Sequence, residues 1–228
     1  MAKVIEHPKF KMVYYVETDA GRQLATENLT PGYKVYGEEL FRIGDVEYRA
    51  WNPYRSKLAA AIERGISEVP LKSGSKVLYL GAASGTTPSH VSDIVGSKGR
   101  VYCVEFAPRV IRELVEVTSR RKNMIPILGD ARKPYSYRFF LEMVDTIYCD
   151  VAQPEQARLL AENAEYYLKK GGKVMIAIKA RSVDVTMDPD QVFKQEVKVL
   201  EDASFKITDM KYLEPYEKDH AMVVAEGP

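Results

Sequence analysis

The last two apolar runs of the chain, residues 205–213 and 221–225, are separated only by residues 214–220. A parallel crossover within one sheet needs a dozen or more residues, so these two runs must pair antiparallel. Five earlier runs, 76–80, 100–104, 124–128, 144–149 and 173–178, are short and apolar at successive positions. Helical stretches such as 89–95, 110–119 and 154–169 fall between them. Strands apolar on both faces and alternating with helices form a parallel sheet covered on both sides. The expected fold class is therefore α/β, a Rossmann-like sheet of seven strands whose last strand runs antiparallel.

The first fifty residues follow another rule. Residues 10–17 and 39–48 alternate apolar and polar positions, and Asp19-Ala-Gly21, Pro31-Gly32 and Gly44-Asp45 punctuate them. That pattern predicts a small antiparallel β domain over 1–52. Trp51-Asn-Pro53 breaks it, residues 56–63 read as a helix, and the α/β domain is expected to occupy 53–228. A hydrophobic fraction of 46% and a charged fraction of 29% fit a soluble globular chain. No run of 18 apolar residues exists and the N-terminus lacks an apolar signal core, so no membrane span or secretion is expected. Cys103 and Cys149 lie inside apolar runs, as buried reduced thiols of a cytoplasmic protein would.

Net charge is only +1, yet residues 51–150 carry 15 basic against 10 acidic side chains, an excess of +5. Arg109, Arg112, Arg120, Arg121, Lys122, Arg132, Lys133 and Arg138 concentrate there, as a solvated helix surface or as a face for a polyanion. So small a net charge argues against an unaided grip on RNA, which rests on many phosphate contacts.

The first apolar run leads into Leu80-Gly81-Ala82-Ala83-Ser84-Gly85-Thr86-Thr87-Pro88. Thr86 or Thr87 is placed to cap the next helix, with Pro88 in its first turn, leaving room for a ligand at the helix N-terminus. Glu105 follows the second run 24 residues after Gly81, a spacing suited to ribose hydroxyls, and Asp130 ends the third run where it can meet an adenine amino group. An all-parallel six-stranded sheet would suit a nicotinamide enzyme. A sheet closed by an antiparallel hairpin resembles instead the S-adenosylmethionine-dependent methyltransferases.

Ligands of such sheets lie beyond the carboxyl ends of the strands. Asp150 follows the fourth run, Lys179 follows the fifth, and His220 precedes the seventh, whose reversed direction puts its start on the same edge. Lys57 joins them if the helix it opens runs down from that edge. Lys179 is the hardest to read as an ordinary surface residue, because it directly ends Val-Met-Ile-Ala-Ile, where burying a lysine is costly.

Taken together, Tyr54-Arg-Ser-Lys-Leu-Ala-Ala, Leu80-Gly-Ala-Ala-Ser-Gly-Thr-Thr, Val104-Glu-Phe-Ala-Pro-Arg, Gly129-Asp-Ala-Arg, Asp150-Val-Ala-Gln-Pro, Ile178-Lys-Ala-Arg and Leu213-Glu-Pro-Tyr-Glu-Lys-Asp-His make the chain resemble the fibrillarin family over nearly its whole length. The likeness is to its archaeal-type members, the fibrillarin-like rRNA/tRNA 2′-O-methyltransferases, because the glycine- and arginine-rich tail of eukaryotic members is lacking.

The resemblance implies S-adenosylmethionine as cofactor, contacted at Gly81, Ala82, Thr86, Thr87, Glu105, Phe106, Asp130, Ala131, Asp150, Val151, Ala152 and Gln153. It implies a catalytic tetrad of Lys57, Asp150, Lys179 and His220. It further implies work inside a box C/D ribonucleoprotein, where a guide RNA selects a ribose in rRNA or tRNA. A Nop-domain scaffold protein docks the enzyme there, and a kink-turn-binding ribosomal-type protein anchors the RNA. Such partners would supply the RNA grip that the near-neutral charge lacks. Of the tetrad, Lys179 is the expected proton acceptor, with Asp150 orienting it, His220 holding the nucleotide or the lysine, and Lys57 as a neighbouring cation. No grouping has metal-ligand spacing, so no metal is expected.

Two other readings are a small-molecule O-methyltransferase and a non-catalytic assembly subunit. Lack of a paired-carboxylate metal site and of an insertion over the active site speaks against the first, and the intact tetrad against the second.

Overall fold

A computed structural model describes residues 2–228. The N-terminal part forms five short strands: β1 (Lys3–Glu6), β2 (Val13–Thr18), β3 (Gly21–Glu27), β4 (Leu40–Ile43) and β5 (Val46–Ala50). They make an all-antiparallel sheet in the order β1-β2-β3-β5-β4. Alternation along its strands fills two layers. Val13, Tyr15 and Leu24 face the large core, whereas Val16, Ala25, Phe41, Tyr48 and Ala50 build a small cluster of their own.

The remainder runs α1 (Lys57–Glu63), β6 (Lys76–Leu80), α2 (Thr86–Val95), β7 (Arg100–Glu105), α3 (Val110–Arg120), β8 (Met124–Leu128), β9 (Val144–Cys149), α4 (Gln156–Tyr167), β10 (Leu168–Lys179), the single turn α5 (Ala180–Val183), α6 (Pro189–Asp202), β11 (Lys206–Tyr212) and β12 (His220–Glu226). These strands form the expected seven-stranded sheet, ordered β11-β12-β10-β9-β6-β7-β8. β12 lies between β10 and β11 and is antiparallel to both, while the pairings among β6 to β10 are parallel.

The central strands are apolar at successive positions because both faces of the sheet are covered. Val77, Tyr79, Val101, Cys103, Met175 and Val224 pack with α1, α2, α3 and the inner face of the N-terminal sheet. The alternate residues Leu78, Leu80, Tyr102, Ile147, Ile176 and Val223 pack with α4 and α6. Cys103 and Cys149 are free and buried, and burial pushes the Cys149 thiol up to about 12. Among the described residues no helix is long and apolar enough to cross a membrane.

Some boundaries differ from the sequence reading. α2 opens at Thr86 rather than residue 89, since Gly85, in the left-handed region at φ 96°, ends the turn. The fifth strand starts at Leu168 instead of 173, with a break in register between Leu168 and Lys173 around Gly171-Gly172, and α4 stops at Tyr167 accordingly.

Charge burial gave the largest correction. Arg121, read as one of a basic surface group, has a side chain with no solvent exposure and pairs with Asp93 of α2 at 2.6 Å. Arg49 of β5 is equally buried, 3.2 Å from the same Asp93 and 2.8 Å from Glu38. His90 sits between Thr26 Oγ1 and Tyr36 Oη at 2.8 Å each and stacks on Trp51. Burial, then Arg49 and Arg121, hold that imidazole well below its usual range, so it is neutral at pH 7. One polar network thus fastens the N-terminal sheet to the helix that begins at the glycine loop.

Candidate active site

Three turns meet at the carboxyl edge of β6, β7 and β9. The turn after β6 needs Gly81 for two reasons. Its φ is +81°, and a Cβ there would lie 2.7 Å from the Asp150 carbonyl oxygen. Backbone bonds close the assembly: Gly81 and Ala82 both donate to the Val104 carbonyl, and the Asp150 N–H donates to that of Leu80. Ala83 holds φ +48°, and its N–H donates to Glu105 Oε2 at 2.8 Å, while Ala107 N–H donates to Oε1 at 2.9 Å. Glu105 is therefore fixed by two backbone donors before any ligand arrives.

Neither threonine caps α2. Gly85 occupies the cap position and offers no side chain, so the first turn keeps backbone donors without a capping oxygen. Thr87 is buried, and its hydroxyl donates instead to Ser56 Oγ at 3.0 Å. Ser56 is itself the cap of α1, accepting from the Ala59 N–H, and Lys57 follows directly. Sequence reasoning missed this tie between the two helix starts, although Ser56 before an apolar helical run carried the capping signal.

Across the mouth, Phe106 is 64% exposed. Asp130 faces away from a purely ligand-directed role: Arg132 donates to both of its carboxylate oxygens, holding the carboxyl below the usual carboxylate range. The Arg132 guanidinium also lies 5.9 Å from the Phe106 ring centroid. Ala131 is buried, with its carbonyl accepting from Asn163; Val151 and Gln153 are half-buried and Ala152 is exposed.

The four edge residues come together. Lys179 ends β10, and His220, which starts β12, is its partner in the ladder. Lys179 Nζ is 2.9 Å from Asp150 Oδ1 and donates to the Asp150 carbonyl at 3.0 Å. Lys57 Nζ approaches the same Oδ1 at 3.3 Å. Neither contact on Oδ1 is an aligned hydrogen bond, so that buried oxygen is held by charge. All three side chains are less than one-fifth exposed. Buried Gln156, another residue unread in the sequence, pins the Lys179 backbone by accepting its N–H at 3.0 Å and donating to its carbonyl at 3.1 Å. Burial pulls the His220 imidazole below its usual range, assisted by Lys57 and Lys179, against the opposing pull of the Lys218 carbonyl. One carboxylate, two amines and a neutral imidazole can hold a hydroxyl and move its proton.

The fibrillarin family model matches residues 4–227. The fibrillarin-like rRNA/tRNA 2′-O-methyltransferase of Staphylothermus marinus is 57% identical over 220 residues, covering 96% of this chain and 94% of its own. A crystal structure of Aeropyrum pernix fibrillarin with natively bound S-adenosyl-L-methionine is 52% identical with a TM-score of 0.91, over 99% of this chain and 100% of that one. A fibrillarin/Nop5p complex contains a chain 43% identical with a TM-score of 0.86, over 97% and 99%.

Proposed function

The chain belongs to the fibrillarin family, and on that premise we propose that it transfers the methyl group of S-adenosylmethionine to the 2′-hydroxyl of a ribose in rRNA or tRNA. The observation that carries this reading is the meeting of Lys57, Asp150 and Lys179 beside His220 at the ligand-binding edge of the sheet.

The residues at the mouth fit such a cofactor. Glu105 keeps free lone pairs for ribose hydroxyls, and the uncapped first turn of α2, at Thr86 and Thr87, suits a carboxylate. Phe106 offers a flat face for the adenine, beside Asp130 and Ala131, and residues 150–153 with Gly81 and Ala82 form the remaining wall. S-adenosylmethionine supplies an electrophilic methyl group on sulfur. The 2′-oxygen forms the new O–C bond as the S–C bond breaks, and the hydroxyl proton passes to Lys179 Nζ. Asp150 holds that amine in place, Lys57 shares the carboxylate, and His220 takes the nucleotide. Holding both reactants in line can contribute about 7–11 kcal/mol to the rate.

Membership of this family implies work as a cytoplasmic subunit of a box C/D particle, and the charge fits an enzyme that needs partners to hold RNA. A net charge of +1 leaves little excess positive charge for gripping RNA. A Nop-domain scaffold would dock it, a kink-turn-binding protein would anchor the guide, and the guide RNA would choose the ribose. The known fibrillarin/Nop5p complex supports the scaffold.

Reconstitution with labelled cofactor tests the whole reading. Site-specific 2′-O-methylation is expected only when scaffold, kink-turn protein and guide are present. Efficient guided methylation by the isolated chain would refute the dependence on partners, and no methylation by the full complex would refute the activity.

Cofactor placement is tested separately. Glu105→Ala should weaken S-adenosylmethionine binding to the isolated chain by about 1–3 kcal/mol, through loss of a charge-assisted bond and of its hold on Ala83. Undiminished affinity by calorimetry would move the cofactor elsewhere.

A further inference from the structure

The loops that deliver Lys57 and His220 each raise a tyrosine at the rim of the mouth. Tyr54 stands three residues before Lys57, on a turn fixed by its own N–H donating to Asn52 Oδ1 at 2.8 Å and by Arg55 N–H donating to the Asn52 carbonyl at 3.0 Å. Tyr216 stands four residues before His220, on a turn in which its N–H donates to the Leu213 carbonyl at 2.9 Å. The two rings meet edge-to-face, with centroids 5.1 Å apart and planes at 72°. Tyr216 packs partly against the core, whereas Tyr54 remains 63% exposed. The inner ring therefore props the outer one in water, a placement that costs apolar exposure without filling any core.

Two cations flank the pair. Arg55 is exposed and forms no ion pair among the described residues; its guanidinium rests 5.1 Å from the Tyr36 ring centroid and donates only to the Tyr36 carbonyl at 3.5 Å. Lys218 is likewise exposed, on the loop of Tyr216, and its carbonyl accepts from the His220 ring. An exposed aromatic face with an exposed cation on each of its two loops matches a sugar–phosphate unit. The paired target of a guide RNA presents its 2′-hydroxyls in the wide, shallow minor groove of an A-form helix, where sugars are accessible and base faces are not.

The geometry points to a substrate subsite for the nucleotide flanking the methylated one: the Tyr54 ring, propped by Tyr216, packs on its ribose, and Arg55 and Lys218 take the adjacent phosphates. This inference rests on the RNA methyltransferase reading above. A subsite of this kind is blind to base identity, as an enzyme whose target is chosen by a separate guide requires. It also sets the register in which a 2′-hydroxyl reaches Lys179, because the tyrosines share their two short loops with Lys57, which approaches Asp150, and His220, which pairs with Lys179.

The test is multiple-turnover methylation in the reconstituted complex, with a guided RNA target as probe. Tyr54→Ala is expected to lower kcat/KM for RNA about tenfold or more. Tyr54→Phe should stay near wild type, and cofactor affinity of either isolated variant should be unchanged, which excludes misfolding. Arg55→Ala should reduce the slope of log(kcat/KM) against log salt by about one, the signature of one lost phosphate contact. An active wild-type complex whose Tyr54→Ala variant keeps full kcat/KM would remove this subsite alone. An inactive wild-type complex would remove both the subsite and the reading beneath it.

Discussion

Lys179→Ala is expected to slow single-turnover methylation in the assembled complex by about 10²–10⁴-fold, with cofactor affinity nearly untouched. The amine is aimed by contacts that do nothing else: 2.9 Å to Asp150 Oδ1, 3.0 Å to the Asp150 carbonyl, and a backbone clamped on both sides by Gln156. The groups assigned to the adenosyl moiety stand on other strands, at Glu105 and Asp130, which is why binding should survive. Lys179→Arg separates two roles. A guanidinium stays protonated and cannot accept the 2′-hydroxyl proton, so the general-base role forecasts an equally slow enzyme. A positioning charge would be largely retained by arginine, and an active Arg variant at saturating cofactor would rule out proton transfer to Lys179.

Most of the candidate site's edge was legible in the sequence because strand direction alone brings strand ends together. Once residues 214–220 proved too short for a crossover, His220 had to share an edge with Asp150 and Lys179, and their side chains do converge. The glycine loop was legible for the same local reason, since only glycine suits φ +81° with a carbonyl 2.7 Å from a would-be Cβ. Contacts between distant segments were hidden. Thr87 looks like a cap when read beside its neighbours, yet it is drawn to Ser56, 31 residues away. Arg121 reads as one of a run of surface cations because nothing in its neighbourhood announces Asp93, 28 residues earlier.

That last pair carries the largest expected effect on stability. Asp93→Asn should destabilise the protein by about 3–5 kcal/mol, the range for breaking a buried ion pair from one side. Asp93 serves four partners: Oδ1 accepts from Arg121 and from the Leu29 N–H, and Oδ2 accepts from Thr26 and Arg49. Burial works against the charged form of Arg121 and Asp93 beside it works for it, so the arginine depends on that carboxylate. Asparagine keeps the shape but leaves Arg49 and Arg121 with Glu38 as their remaining ion-pair partner among the described residues, so that one cation is uncompensated out of reach of water. Removing that cation should restore balance. The double variant Asp93→Asn/Arg121→Met is therefore expected to lose clearly less stability than the two single changes summed, with a coupling of about 1–3 kcal/mol. Urea unfolding of the four proteins measures it. Additive losses, or a cost below about 1 kcal/mol for Asp93→Asn, would mean that the interior relaxes or admits water, and that the N-terminal sheet is not fastened to the glycine-loop helix by charge.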